Sequence, residues 1–158
     1  MTKIEDMSEP ERQSWITFLA DGAVFIYFVQ KLTQGYGFKA QHFEPREIGE
    51  IFLGIVIVTI IVHAVIASVF EMRKRKEAYE KDERDIEVAR QGDRNAYWFI
   101  QAGIGIVLVT LLIQYMVGDD YQGHVSVIKP VEMIFALGVV SYVADLIKHG
   151  TMIMAYRR

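Results

Sequence analysis

Among the polar residues within largely apolar stretches, four stand out: Asp21, His63, Gln101 and Asp145. A carboxylate beside an imidazole is a pair suited to carrying protons, because histidine changes charge near neutral pH and a neighbouring carboxylate stabilises the charged ring. Inside a membrane an ionised carboxylate costs several kcal/mol, so Asp21 and Asp145 are expected to face other helices or water rather than lipid. Two uses follow for such residues. They relay protons or bind a cation near a water-filled vestibule, or they pair with each other or with Lys148 and simply fix helix register.

Helical spacing gives each residue a depth. Asp21 lies about seven residues, roughly 10 Å, into its apolar stretch, and His63 lies about seven residues before the end of the next. Gln101 falls about one turn into the third stretch, and Asp145 sits in the last turns of the fourth. Ser14, Thr17 and Asp21 share one helix face, as do Gly138, Ser141, Asp145 and Lys148. One polar layer near a single membrane face is therefore expected, with Asp21 or Asp145 beside His63 at its centre.

Other chemistry finds less support. The chain has no cysteine, so disulfides, thiolate metal sites, iron-sulfur clusters and thioether-linked haem are excluded. Of His42, His63, His124 and His149, only His63 lies well inside an apolar stretch and His149 at an edge, so a haem held between two histidines is not expected. No helix carries an HxxxH or ExxH pair, and Asp119, Asp120 and His124 read as a solvated turn, so no metal site is expected. No nucleophile elbow, phosphate-binding loop or dinucleotide fingerprint is present, which points away from an enzyme. The formal net charge of -3 gives no reason to expect nucleic acid.

The elements that must position the four residues are membrane helices. Of the 158 residues, 52% are hydrophobic. They gather into stretches at about 15–32, 51–70, 98–117 and 131–147, each near the roughly 20 residues that cross a hydrocarbon core. "IFLGIVIVTIIVHAVIASVF" and "WFIQAGIGIVLVTLLIQYMV" contain no acid, lysine or arginine. The absence of recurring polar stripes argues against a soluble bundle. The expected fold is all-α: one domain, residues 1–158, forming a four-helix bundle in the membrane.

Thirteen Lys and Arg residues fall on the side of the termini and the connection after the second stretch, and four on the other. The positive-inside rule then puts both termini in the cytoplasm of a prokaryotic cell, in a multi-pass protein of the inner membrane. The N-terminus lacks the basic and small-residue pattern of a cleaved signal, so the first helix is expected to be retained. Ser8 and Glu11 predict a capping box with Pro10 in the first turn, and Pro45 and Pro130 mark two further helix starts. Trp15, Tyr97, Trp98, Tyr115 and Tyr156 suit interfacial belts.

Residues 71–97 read as a charged cytoplasmic helical hairpin extending the second and third spans, held by pairs such as Arg73 with Glu77. Gly92 followed by Asp93 supplies a helix stop and a new N-cap, placing the bend between Glu80 and Asp93. Arg73, Lys74, Arg75 and Lys76 are an uncompensated basic run suited to lipid headgroups. Within "DERDIEVARQGDRNAYW", Asp82, Arg84, Asp85 and Arg94 either lock the turn or present it to a partner. This pattern, from Asp82 to Trp98, resembles a group of small four-helix membrane proteins of bacteria and archaea that carry a DERD-like turn before the third helix. The resemblance spans some 20 residues, implies fold and location, and transfers no catalytic residue.

The expected function is that of a non-enzymatic membrane scaffold or regulator without a cofactor, whose hairpin docks a cytoplasmic protein. The alternatives are a small proton or cation transporter using the polar layer, or a haem or quinone electron carrier. Beyond the lipid bilayer, a homodimer or other homo-oligomer is the expected partner, because four helices enclose a thin interior and Gly103 and Gly105 allow close packing.

Overall fold

The computed structural model describes residues 7–33, 45–77, 82–117 and 130–158. The described residues form four helices and no strand: α1 (Glu9–Thr33), α2 (Pro45–Glu77), α3 (Glu83–Val117) and α4 (Pro130–Tyr156). Segments of α2, α3 and α4 are long and apolar enough to cross a membrane. α1, with 25 residues, is not among these. At 33 and 35 residues, α2 and α3 outreach a hydrocarbon core that about 20 residues cross, so each extends beyond it.

The helix starts follow the local chemistry. Ser8 Oγ accepts from the Glu11 amide at 3.4 Å, and Glu9 and Glu11 complement the dipole of the first turn. Proline opens α2 and α4, where its missing N–H costs nothing. At α3 the cap differs from expectation: the helix runs unbroken through Gly92 and Asp93, and Asp82 caps it instead. Gly92 serves packing. A Cβ there would lie 2.9 Å from both the Lys148 carbonyl and Met152 Cγ, so the missing side chain lets α3 close on α4 rather than stop. Asp93, freed from capping, meets Lys148 Nζ at 2.7 Å.

The helices stand in a row. α3 packs on α4, α4 on α1 and α1 on α2, with no comparable packing of α2 on α3 among the described residues. Ser14 meets Met152, Phe18 lies under Gly150 and Phe28 meets Gly138, so α4 runs antiparallel to α1. Asn95 with Thr151 and Gly103 with Val140 give α3 and α4 the same antiparallel sense. The start of α1, the start of α3 and the end of α4 therefore share one end of the molecule. Val24, Phe28 and Ile55 form the core toward the other end, with Phe28 stacked on Phe135 at 5.7 Å.

Gly92→Ala is expected to destabilise the chain by about 1 to 2 kcal/mol, an overpacking cost that exceeds the helix-propensity gain. Gly105 has nothing within 4 Å of its hypothetical Cβ, so Gly105→Ala is expected to be neutral or mildly stabilising. Thermal unfolding in detergent checks the contrast.

Candidate functional site

On α1, Ser14, Thr17 and Asp21 recur at helical spacing and are only 1%, 5% and 1% exposed. Ser14 satisfies its hydroxyl locally, donating to the Pro10 carbonyl at 2.8 Å. Asp21 cannot do so. Its Oδ1 meets His63 Nε2 of α2 at 3.2 Å, while Oδ2 is buried with no hydrogen-bond partner among the described atoms.

Both ring nitrogens of His63 face oxygen atoms. Its Nδ1 lies 2.9 Å from the carbonyl of Thr59, one turn earlier. A carbonyl and a carboxylate both only accept, so a neutral ring donates to Thr59 in one tautomer or to Asp21 in the other, and only a ring with hydrogen on both nitrogens donates to both. Nε2 faces a carboxylate oxygen, and those two atoms attract only with a proton between them. The pair thus holds one exchangeable proton, on the ring as an imidazolium or on the carboxyl. Its loss would set an imidazole lone pair against either the Thr59 carbonyl or the buried carboxylate.

Two residues missed in the sequence hold this arrangement. Thr59 donates its hydroxyl to the Ile55 carbonyl at 2.9 Å, which leaves Tyr142 of α4 as the donor in their 2.6 Å contact. Thr59 therefore anchors His63 through its backbone and α4 through its side chain. Only its position four residues before His63 hinted at this, since i and i+4 share a helix face.

Of the expected layer, Asp21 and His63 touch. Asp145 stands one turn beyond Tyr142 on α4, exposed, within electrostatic reach of both. Lys148, weighed as a partner for the layer, turns to Asp93 instead. Gln101 is exposed on α3, whose main packing is against α4, and so stands apart from the layer. His149 lies within electrostatic reach of His63, and its Nδ1 is buried without a hydrogen-bond partner among the described atoms. His42, Asp119, Asp120 and His124 lie outside the described residues, as do the side chains of Arg73, Lys74, Arg75 and Lys76.

The layer can bind and release a proton. His63 stays 41% exposed at its side chain while Asp21 is covered, so one partner has access to the surroundings and the other does not. A cofactor ligated by His63 would have to displace the Thr59 carbonyl or Asp21. Among the described residues, no three His, Asp or Glu side chains are arranged to hold a metal ion.

A second polar cluster joins α3 to α4. The Asp85 amide donates to Asp82 Oδ1 at 2.7 Å and the Asp82 amide to Asp85 Oδ2 at 3.4 Å, a reciprocal capping box. Tyr156 donates its hydroxyl to Asp85 Oδ1 at 2.9 Å, and Arg84 donates to the Tyr156 carbonyl at 3.3 Å. Tyr156, expected in an interfacial belt, is tied to α3, and Asp85 is 5% exposed. Arg94 is exposed on α3. No known family model matches the chain, and no curated protein or solved structure resembles it significantly.

Proposed function

We propose that this is a non-enzymatic, multi-pass membrane protein that carries a proton through Asp21 and His63, with Asp145 at the exposed edge of the site. All four helices span the bilayer, α1 covering its Asp21 face with α2 and α4. Both termini and the connection between α2 and α3 face the cytoplasm of a prokaryotic cell, where most Lys and Arg residues fall. Lipid or further copies of the chain cover the apolar outer faces of α2 and α3.

The observation that carries the proton reading is the 3.2 Å contact of His63 Nε2 with a carboxylate that is 1% exposed, made while Nδ1 lies against a carbonyl. A register-fixing pair needs no partner open to the outside, and the His63 side chain is 41% exposed. The test is proton flux in liposomes holding a trapped pH-sensitive dye, driven by an imposed potassium diffusion potential. Wild-type protein is expected to pass protons, and Asp21→Asn or His63→Ala to reduce the flux at least tenfold. Wild-type vesicles no leakier than empty ones, or undiminished flux in both variants, would sink the reading.

A second reading, a scaffold that docks a cytoplasmic protein, draws on the exposed charges of Glu83, Arg84, Glu87, Arg90 and Arg94 along the first turns of α3. It requires no flux. It predicts instead that reversing Arg90 and Arg94 abolishes partner capture while leaving the fold intact.

A further inference from the structure

We infer that Asp21 is reached from within, along a row of buried polar side chains on α1 that begins at Glu9 and carries protons through water. The inference rests on the proton reading above and adds the route to the covered partner. Burial along α1 changes character at one point. Glu9, Ser14, Thr17 and Asp21 are four of the six buried polar or charged side chains among the described residues, whereas the next two buried residues of the helix, Val24 and Phe28, are apolar. The row therefore runs from the end of the molecule where α1 begins and stops at the apolar core. Ser14 meets Met152 of α4 and Asp21 meets His63 of α2, so neighbouring helices cover it.

Each end of the row holds a buried carboxylate oxygen that no protein group meets. Glu9 Oε1 accepts from the Arg12 guanidinium, but Glu9 Oε2 is buried with no hydrogen-bond partner among the described atoms, and so is Asp21 Oδ2. Such an oxygen is costly unless a water or a proton satisfies it. Arg12 Nε, a buried donor one turn from Glu9, is unmatched as well. An acceptor and a donor left over side by side are what a single water bridges. A stripe of serine and threonine serving only close helix packing would need no carboxylate at either end.

The spacing suits a hand-off. At about 1.5 Å per residue, the steps from Glu9 to Ser14, to Thr17 and to Asp21 rise about 7.5, 4.5 and 6 Å, so roughly one or two waters join each pair. Ser14 gives its hydrogen to the Pro10 carbonyl, which leaves its oxygen to accept from water, while the Thr17 hydroxyl can both donate and accept. Each water passes one proton on as it takes one up. A proton entering at the Glu9 end thus arrives at Asp21 Oδ2, and the row is left with the protons it began with. Beyond Asp21 stands the core, where Phe28 stacks on Phe135 at 5.7 Å, so access along α1 comes from one end only.

Water contact is measured in the unmodified sequence, whether or not protons cross. In the full chain, labelled with carbon-13 in lipid bilayers, solid-state magnetic resonance reads the transfer of magnetisation from water to each side chain. Transfer to Ser14 and Thr17 is expected to be at least about threefold faster than to Val24 and Phe28. Thr17→Val keeps the shape of the side chain without its hydroxyl, and Glu9→Gln keeps the shape without the charge. Each is expected to lower proton flux into liposomes at least about threefold, while Thr17→Ser, which restores the hydroxyl, keeps the wild-type rate. Ser14 and Thr17 as dry as Val24 would overturn the row. Flux that needs Asp21 and His63 but is indifferent to Thr17→Val and Glu9→Gln overturns it too, and leaves the proton reading standing. A wet row in a protein that passes no protons keeps the water path to Asp21 and removes transport.

Discussion

His63→Ala is expected to destabilise the protein by about 2 to 3 kcal/mol, and Asp21→Asn by about 1 kcal/mol or less, although both remove the same ion pair. The difference lies in what each leaves behind. Without His63, a carboxylate that is 1% exposed, with one oxygen already lacking a partner, has lost its only described hydrogen-bonding neighbour. Without the Asp21 charge, His63 remains bonded to the Thr59 carbonyl and is half open, and it keeps a neutral contact with the amide. The loss for His63→Ala sits below the roughly 3 to 5 kcal/mol of a fully enclosed pair because one partner is already accessible. Adding Asp21→Asn to His63→Ala should then recover at least half of that loss, since no charge remains to be buried. Unfolding in mixed micelles, followed by tryptophan fluorescence, measures all three variants. Equal losses in the single variants, summing in the double, would mean that Asp21 is not a buried anion.

The success and failure of the sequence reading here have one physical origin. Helical rise converts position into depth, so Asp21, about seven residues into one apolar stretch, and His63, about seven residues before the end of the next, antiparallel one, were bound to fall at similar levels. Rotation about the axis is another matter, because packing sets it. Gln101 has the right depth, but Gly103, two residues on, faces Val140 of α4. At about 100° per residue, Gln101 then points nearly the opposite way. Gly92 carried a similar ambiguity. A glycine before an aspartate reads as a stop and a cap, and only the closeness of the Lys148 carbonyl shows that it is a point of helix contact. Asp82 and Asp85 had the spacing of a capping box and could have been read as one. Their partner Tyr156, 71 residues from Asp85, could not, because nothing local fixes the register of α3 on α4.

That last cluster carries the other large effect. Asp85→Ala is expected to destabilise the chain by about 1 to 3 kcal/mol, combining loss of the reciprocal bond from the Asp82 amide with loss of the buried acceptor of the Tyr156 hydroxyl. Tyr156→Phe removes only the hydroxyl and should cost about 1 kcal/mol. In the double variant the tyrosine change should add almost nothing, because Asp85 is no longer there to receive it, giving a coupling of about 1 kcal/mol. Hydrogen exchange locates the effect. The first turn of α3 and the last turn of α4 should lose protection together in Asp85→Ala, while the amides around Thr59 and His63 keep theirs. Such paired loss requires that Asp85 locks the two helix ends to each other. A motif serving only to dock a partner gives the opposite pattern, with Asp85→Ala changing capture and leaving both helix ends protected. Because Asp85 is buried and already bonded to Asp82 and Tyr156, the lock is the outcome that its geometry supports.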